Sequence, residues 1–263
     1  MISSIKRAAI IAIVTAGLVA IATPAFFTHL LIPEKEAAPL VKREVVPVPE
    51  EARAVGWREE FDSAAGRGRT AVPKGWKAVG KPGTKPAVFS VRADNESSEH
   101  FLHVEADRAT GNLMTRINDI DLKKTPVLRW RWRATTLPAG ADGRLKAADD
   151  QVVAIYVGTG TSLNNKSISY RWDTETPRGA EGNASYGMGG VKVKWYTLRN
   201  KADAQGGQWL TEERNVAEDF NKAWGFYPEK IYLSVSSNSQ YTRSSGAADL
   251  CWIEFVSLKN EAI

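Results

Sequence analysis

The sequence predicts an all-β fold, a jelly-roll-type antiparallel β-sandwich with one short helix, and three observations carry that expectation. The run Val127-Leu128-Arg129-Trp130-Arg131-Trp132-Arg133 alternates without a break. Leu128, Trp130 and Trp132 therefore take one side of an extended strand and the three arginines take the other. A second run, from Gln151 to Val157, is almost continuously apolar behind Asp149 and Asp150, which suits a strand inside a two-layer structure. Around these two, short β-branched or aromatic segments recur between clusters of Gly, Pro, Asn and Asp, the punctuation of a multi-stranded fold.

Strands are expected at residues 100–106, 127–134, 151–158, 167–172, 191–198, 208–213, 231–236 and 250–258. One helix is expected after Asn215, whose side chain caps it. Val216, Phe220 and Ala223 share its buried face, and Gly225 ends it. The glycine-rich stretch 177–190, with Asn183, Ser185 and Tyr186, is long enough for a lid or rim, or for a mobile surface excursion. Nine tryptophans, each able to bury ~150–250 Å², supply a core; Trp130, Trp132 and Trp252 are expected inside it. Cys251 is the single cysteine, so no intramolecular disulfide is available and it reads as core filler.

The N-terminus sets the expected location. Lys6 and Arg7 precede a charge-free apolar run from residue 8 to 32. Residues 1–32 fit a signal peptide cleaved near Thr23-Pro24-Ala25 and equally a membrane anchor, since ~20 apolar residues cross a bilayer. Both keep the basic flank in the cytoplasm and export the rest, to the periplasm or beyond. Residues 33–55 carry Pro33, Pro39, Pro47 and Pro49 and read as an extended linker. Residues 56–263 form the sandwich domain.

Asp149 and Asp150 are the first candidates for chemistry. Adjacent strand residues face opposite sides, so these two alone do not make a glycosidase pair, whose carboxyls converge ~5–9 Å apart on one bond. A polysaccharide-cleaving enzyme would pair one of them with Glu105, Asp107, Asp173, Glu175 or Glu212. The structural alternative has one aspartate bound to Arg129 or Arg131 and the other capping a turn. Arg129, Arg131 and Arg133 share a face, and Lys192 and Lys194 repeat the alternation. If those strands are neighbours, five cations line one sheet face and suit an acidic polysaccharide. The other reading of the stripe is an outer face paired with Asp and Glu.

Aromatic side chains suited to stacking on sugar rings include Tyr170, Trp172, Trp195, Tyr196, Trp209 and Trp224. The expected ligand-binding set is Arg129, Arg131, Asp150, Tyr170, Trp172, Lys192, Lys194 and Trp195. His29 lies in the export segment, and His100 and His103 fall on opposite faces of one strand, so neither a two-histidine metal site nor a catalytic triad is easily built. No glycine-rich phosphate loop appears. No cofactor is expected beyond a structural calcium ion between Asp62 and Asp249, near the two ends of the domain. Nucleic acid is not an expected partner: the domain is read as exported, and removing Lys6 and Arg7 takes the net charge from +5 to +3.

The chain also resembles a bacterial family named as domain of unknown function 3047. The matching segments are Pro126 to Arg133, Asp149-Asp150 leading into Ala154-Ile155-Tyr156-Val157, and Ile168-Ser169-Tyr170-Arg171-Trp172. They continue with Glu213 to Phe220 and the closing Trp252-Ile253-Glu254-Phe255. The resemblance implies a jelly-roll-like sandwich similar to carbohydrate-binding modules, and no established activity. Three functional readings follow. The first is an exported sandwich that binds glycan, with acidic polysaccharide one candidate, without altering it. The second is a polysaccharide-cleaving enzyme. The third is an envelope assembly or scaffolding protein whose aromatic patch meets a protein partner.

Overall fold

The computed structural model describes residues 53–62, 64–65, 71–93, 100–161 and 163–259. The expected export segment and nearly all of the linker lie outside the described residues. Among the described residues, no helix is long and apolar enough to cross a membrane.

In chain order the strands are β1 (Val55–Glu59), β2 (Ala64–Ala65), β3 (Val72–Pro73), β4 (Lys77–Gly80), β5 (Val88–Ala93), β6 (His100–Asp107), β7 (Thr110–Ile117) and β8 (Val127–Thr136). They continue with β9 (Gln151–Gly160), β10 (Asn165–Trp172), β11 (Glu181–Tyr186), β12 (Val191–Arg199), β13 (Leu210–Asn215), β14 (Ile231–Asn238) and β15 (Ser245–Val256). Among the described residues there is one α-helix, α1 (Val216–Trp224), between β13 and β14. A six-stranded sheet runs β13-β8-β15-β6-β5, with β1 also beside β15, and a seven-stranded sheet runs β11-β12-β10-β9-β14-β7-β4. The fold is a jelly-roll-type β-sandwich. Its pairs are antiparallel except β10 with β12, which is parallel.

The core sits where the two sheets face each other, and the alternation explains it. Leu128, Trp130 and Trp132 of β8 point inward and are fully buried, against Ile168, Tyr170 and Trp172 of β10. Rings bridge the layers: Trp132 meets Trp172 edge-on at 5.5 Å, and Trp130 stacks on Tyr170 at 5.4 Å. Each such side chain contributes about 1.5–3 kcal/mol by leaving water. The helix forms as its sequence requires. Asn215 Oδ1 accepts the Glu218 amide at 3.1 Å, Gly225 ends the helix with φ 79°, and Val216, Ala217 and Phe220 are buried.

Three expectations are corrected. Trp252 is not in the core. A bulge between Leu250 and Trp252 shifts the phase of β15, so Ile253 and Phe255 enter the core and Trp252 turns outward beneath Arg58 and Arg129. The stretch 177–190 is not a bare loop, because β11 within it pairs with β12 along the sheet edge. The five-cation face does not form either: β8, with its arginines, and β12, with Lys192 and Lys194, belong to different sheets. The strands β1, β4, β5 and β7 also lie outside the expected set.

Candidate functional site

The outer face of the seven-stranded sheet carries a dense array of polar and aromatic side chains. In β9, Val153, Ile155 and Val157 fill the core, so alternation sends Ala154, Tyr156 and Gly158 outward. In β10 the same logic sends Ser167, Ser169 and Arg171 outward, opposite Ile168, Tyr170 and Trp172. Register then sets one row across the sheet: Trp195 lies beside Ser169, Ser169 beside Tyr156, Tyr156 beside Ser234, and Ser234 beside Met114. The next row places Ser167, Gly158 and Tyr232 side by side. Large rings thus alternate with small residues, giving ridges over a floor of serine, alanine and glycine.

Two of the ridges depend on glycine. A Cβ at Gly158 would stand 2.3 Å from the Tyr232 ring, and one at Gly182 would stand 2.3 Å from the Trp195 ring. Each ring lies across the neighbouring strand's bare backbone. The Tyr232 hydroxyl then donates to Asn165 Oδ1 at 2.9 Å.

One end of this face is built around Arg171, which is almost completely buried. Its Nη1 donates to Asp149 at 2.8 Å and its Nε to Asp173 at 3.0 Å. Its Nη2 reaches the Asp150 carbonyl and Gln151 Oε1, both at 3.3 Å, and the guanidinium stands 5.3 Å from the Trp195 ring centroid. Burial works against this cation, but the Asp173 and Asp149 charges outweigh it and hold Arg171 above its ordinary range. Burial pushes the Asp173 carboxyl up, opposed by Arg171. The second oxygen of Asp149 accepts the Tyr186 hydroxyl at 3.1 Å, and Tyr186 is 40% exposed. Burial and the nearby Tyr156 and Asp149 charges raise the Tyr186 hydroxyl, and burial raises that of Tyr156, so both rings stay neutral hydrogen-bonding groups.

Several expected site residues stand elsewhere. Asp150 is fully buried and turned toward the loop after β14, where it accepts the Tyr241 amide, the Thr242 amide and the Thr242 hydroxyl. It latches a turn, while Asp149 takes Arg171 rather than Arg129 or Arg131. Tyr170 and Trp172 are core side chains with no face for a sugar. Trp195 is on the outer face but nearly covered. Lys192 and Lys194 lie on the opposite face of β12, and Lys194 pairs with Glu181 at 2.9 Å.

Arg129 and Arg131 are on the outer face of the other sheet. There Arg129 meets Glu254 and Arg133 meets Asp249, while Arg131 and Arg133 stack on Trp209. Asp62 is exposed, whereas Asp249 is buried with its oxygens on His103 and Arg133. Among the described residues, no group of three or more His, Cys, Asp or Glu side chains is placed to hold a metal ion.

Of the carboxylates considered as catalytic partners, Asp173 comes close to Asp149, and both meet on Arg171. Glu212 is engaged by Trp132 and Arg199, Glu175 by Lys201 and Asp107 by Lys85. Sequence reasoning missed Tyr156 and Tyr232, which sit inside apolar strands. The signal was the alternation of Ala154, Tyr156 and Gly158 with larger aliphatics.

A profile of the family described as "Protein of unknown function (DUF3047)" matches residues 74–254. The chain belongs to this family. No curated protein matches this DUF3047 chain in sequence. Among solved structures it is similar to the xyloglucanase domain of NopAA, a type three effector from Sinorhizobium fredii, in complex with cellobiose. That likeness has 13% identity and a TM-score of 0.44, over 76% of this chain and 98% of that one. It is similar also to the family 11 carbohydrate-binding module of a cellulosomal cellulase of Clostridium thermocellum, with 10% identity and a TM-score of 0.38, over 80% of this chain and 99% of that one. A metagenome-derived glycoside hydrolase family 12 endoglucanase gives 11% identity and a TM-score of 0.39, over 79% and 100%. No ligand or reaction is carried over to the DUF3047 chain from likeness this low.

Proposed function

We propose that this chain is an exported glycan-binding protein that holds a sugar chain on the outer face of its seven-stranded sheet without cleaving it. One observation carries the reading. Tyr156, Tyr186 and Tyr232 stand on a single face over a floor of serine, alanine and glycine, with hydroxyl, carboxylate and amide groups between them. Sugar rings present apolar C–H faces and a fringe of hydroxyls, so they need both flat rings and spaced hydrogen-bonding groups. Tyr156 and Trp195 are two strands apart, roughly 10 Å at ~4.8 Å per strand, so a bound chain has room to lie across the strands. The basic pair Lys6 and Arg7, followed by the apolar run to residue 32, supports export to the cell envelope.

Holding is favoured over cleaving because the two nearest carboxylates, Asp149 and Asp173, converge on one guanidinium rather than on an open site between them. Affinity electrophoresis through gels cast with different polysaccharides tests the proposal. Retardation in at least one gel, lost in a Tyr156→Ala, Tyr186→Ala double variant of unchanged melting temperature, is the expected result. Equal retardation of the double variant would sink the outer-face assignment. Release of new reducing ends from the retained polysaccharide would overturn the non-catalytic part.

A further inference from the structure

On the opposite face of β10, at its N-terminal end, two cations stand directly opposite each other. Lys166 and Lys192 are register partners on adjacent parallel strands. They share the inward face with Ile168 and Lys194, at the end of the sheet where the C-terminal end of α1 gives way to Phe226. Like charges facing one another across strands cost stability. Neighbouring Lys194 has Glu181 to offset it; among the described residues, neither Lys166 nor Lys192 has a carboxylate within ion-pair distance. The Lys166 ammonium instead rests on aromatic faces, 5.0 Å from the Phe226 centroid and 5.8 Å from that of Trp224.

A cavity of about 170 Å³ opens beside it, lined by Thr159, Gly160, Asn164, Lys166 and Phe226. Register extends the same row to Thr159 on one side and Ser185 on the other, so hydroxyls flank the two ammonium groups. The indole Nε1 of Trp224 is buried without a hydrogen-bond partner among the described residues.

We infer that this corner is a subsite for a single acidic sugar unit, bearing a carboxylate or a sulfate. The anion sits between Lys166 and Lys192, the ring lies along Phe226, and the remaining hydroxyls meet Asn164 and Ser185. The two lysines then gain the counter-charge that no described carboxylate gives them, and the aromatic wall distinguishes a sugar acid from a bare anion. The subsite does not rest on the outer-face reading, because β10 presents Ser167 and Ser169 there and Lys166 here.

Titration calorimetry at low salt tests it. The protein is the full chain carrying Tyr156→Ala and Tyr186→Ala, so that outer-face binding does not contribute. The probes are a glucuronate-containing oligosaccharide, its neutral glucose counterpart, a sulfated oligosaccharide and inorganic sulfate. At least one acidic oligosaccharide binds about tenfold or more tightly than the neutral one, and Lys166→Gln with Lys192→Gln removes that margin, as losing a charged hydrogen bond of ~1.5–3 kcal/mol requires. Which acidic probe binds identifies the anion. Equal affinity for neutral and acidic sugars, or no effect of the lysine replacements at unchanged melting temperature, overturns the subsite. Inorganic sulfate binding as tightly as the best acidic sugar overturns the sugar assignment.

Discussion

At the scale of single residues, identity alone says little until the facing residue is known. Gly158 is an example: in the sequence it is the last apolar-run position before a turn, and in the fold it is the bed on which Tyr232 lies. Gly158→Ala places a methyl group where the ring now stands, so it displaces Tyr232 from Asn165. Overpacking of this kind costs about 1–3 kcal/mol. Calorimetry should show a lower melting temperature, and an unchanged one would mean the ring has space that the packing denies. Tyr156 and Tyr232 were hard to read for a related reason. Each sits among residues that a fully buried strand also uses, and only the neighbouring strands decide which side meets water. Asp150 was legible as half of a conspicuous pair but not as a latch, because its partners at 241 and 242 are about ninety residues away.

At the scale of elements, legibility followed how much local chemistry each segment carries. The helix was read with its cap, its stop and two residues of its buried face, Val216 and Phe220, because these are local signals; Ala217 rather than the expected Ala223 completes that face. Asn215→Ala should cost about 1 kcal/mol by releasing the Glu218 amide, whereas Asn215→Gly should cost only a few tenths. Urea denaturation of both variants checks the ordering, and equal losses would show that the cap does not act through its side chain. Strands β8, β9 and β10 were equally plain, being rich in β-branched and aromatic residues. Strand β11, Glu-Gly-Asn-Ala-Ser-Tyr, contains mostly residues of low strand propensity and owes its shape to pairing with β12. The bulge in β15 had no signal at all. It inserts one residue, and every side chain beyond it changes face.

At the scale of the whole molecule, the sandwich class was readable and the sheet order was not, since order depends on which distant strands meet. Charge gives the assembled domain a pH dependence with a definite sign. Lys85, with Ser245, holds the Asp107 carboxyl at about 2, and Arg144 holds that of Asp142 at about 2, against an ordinary 3.8. On acidification the unfolded chain takes up these protons first. The contribution is therefore complete above about pH 4 and is lost as pH falls toward 2. Melting temperature should drop over that window, and Asp142→Asn should flatten the drop; an unaltered slope would remove Asp142 from the account. The order β11-β12-β10, with its parallel pair, also imposes a sequence in time. Strand β12 emerges from the chain after β11 yet ends between β11 and β10, so β11 cannot be mounted on β10 to await it. Strand β11 therefore joins the sheet only through β12, across the turn at Gly187, Met188 and Gly189, all with positive φ. Hairpins close in microseconds and distant pairings take longer. The wall that carries Tyr186 thus cannot precede β12, and the site is completed only when both strands are in place.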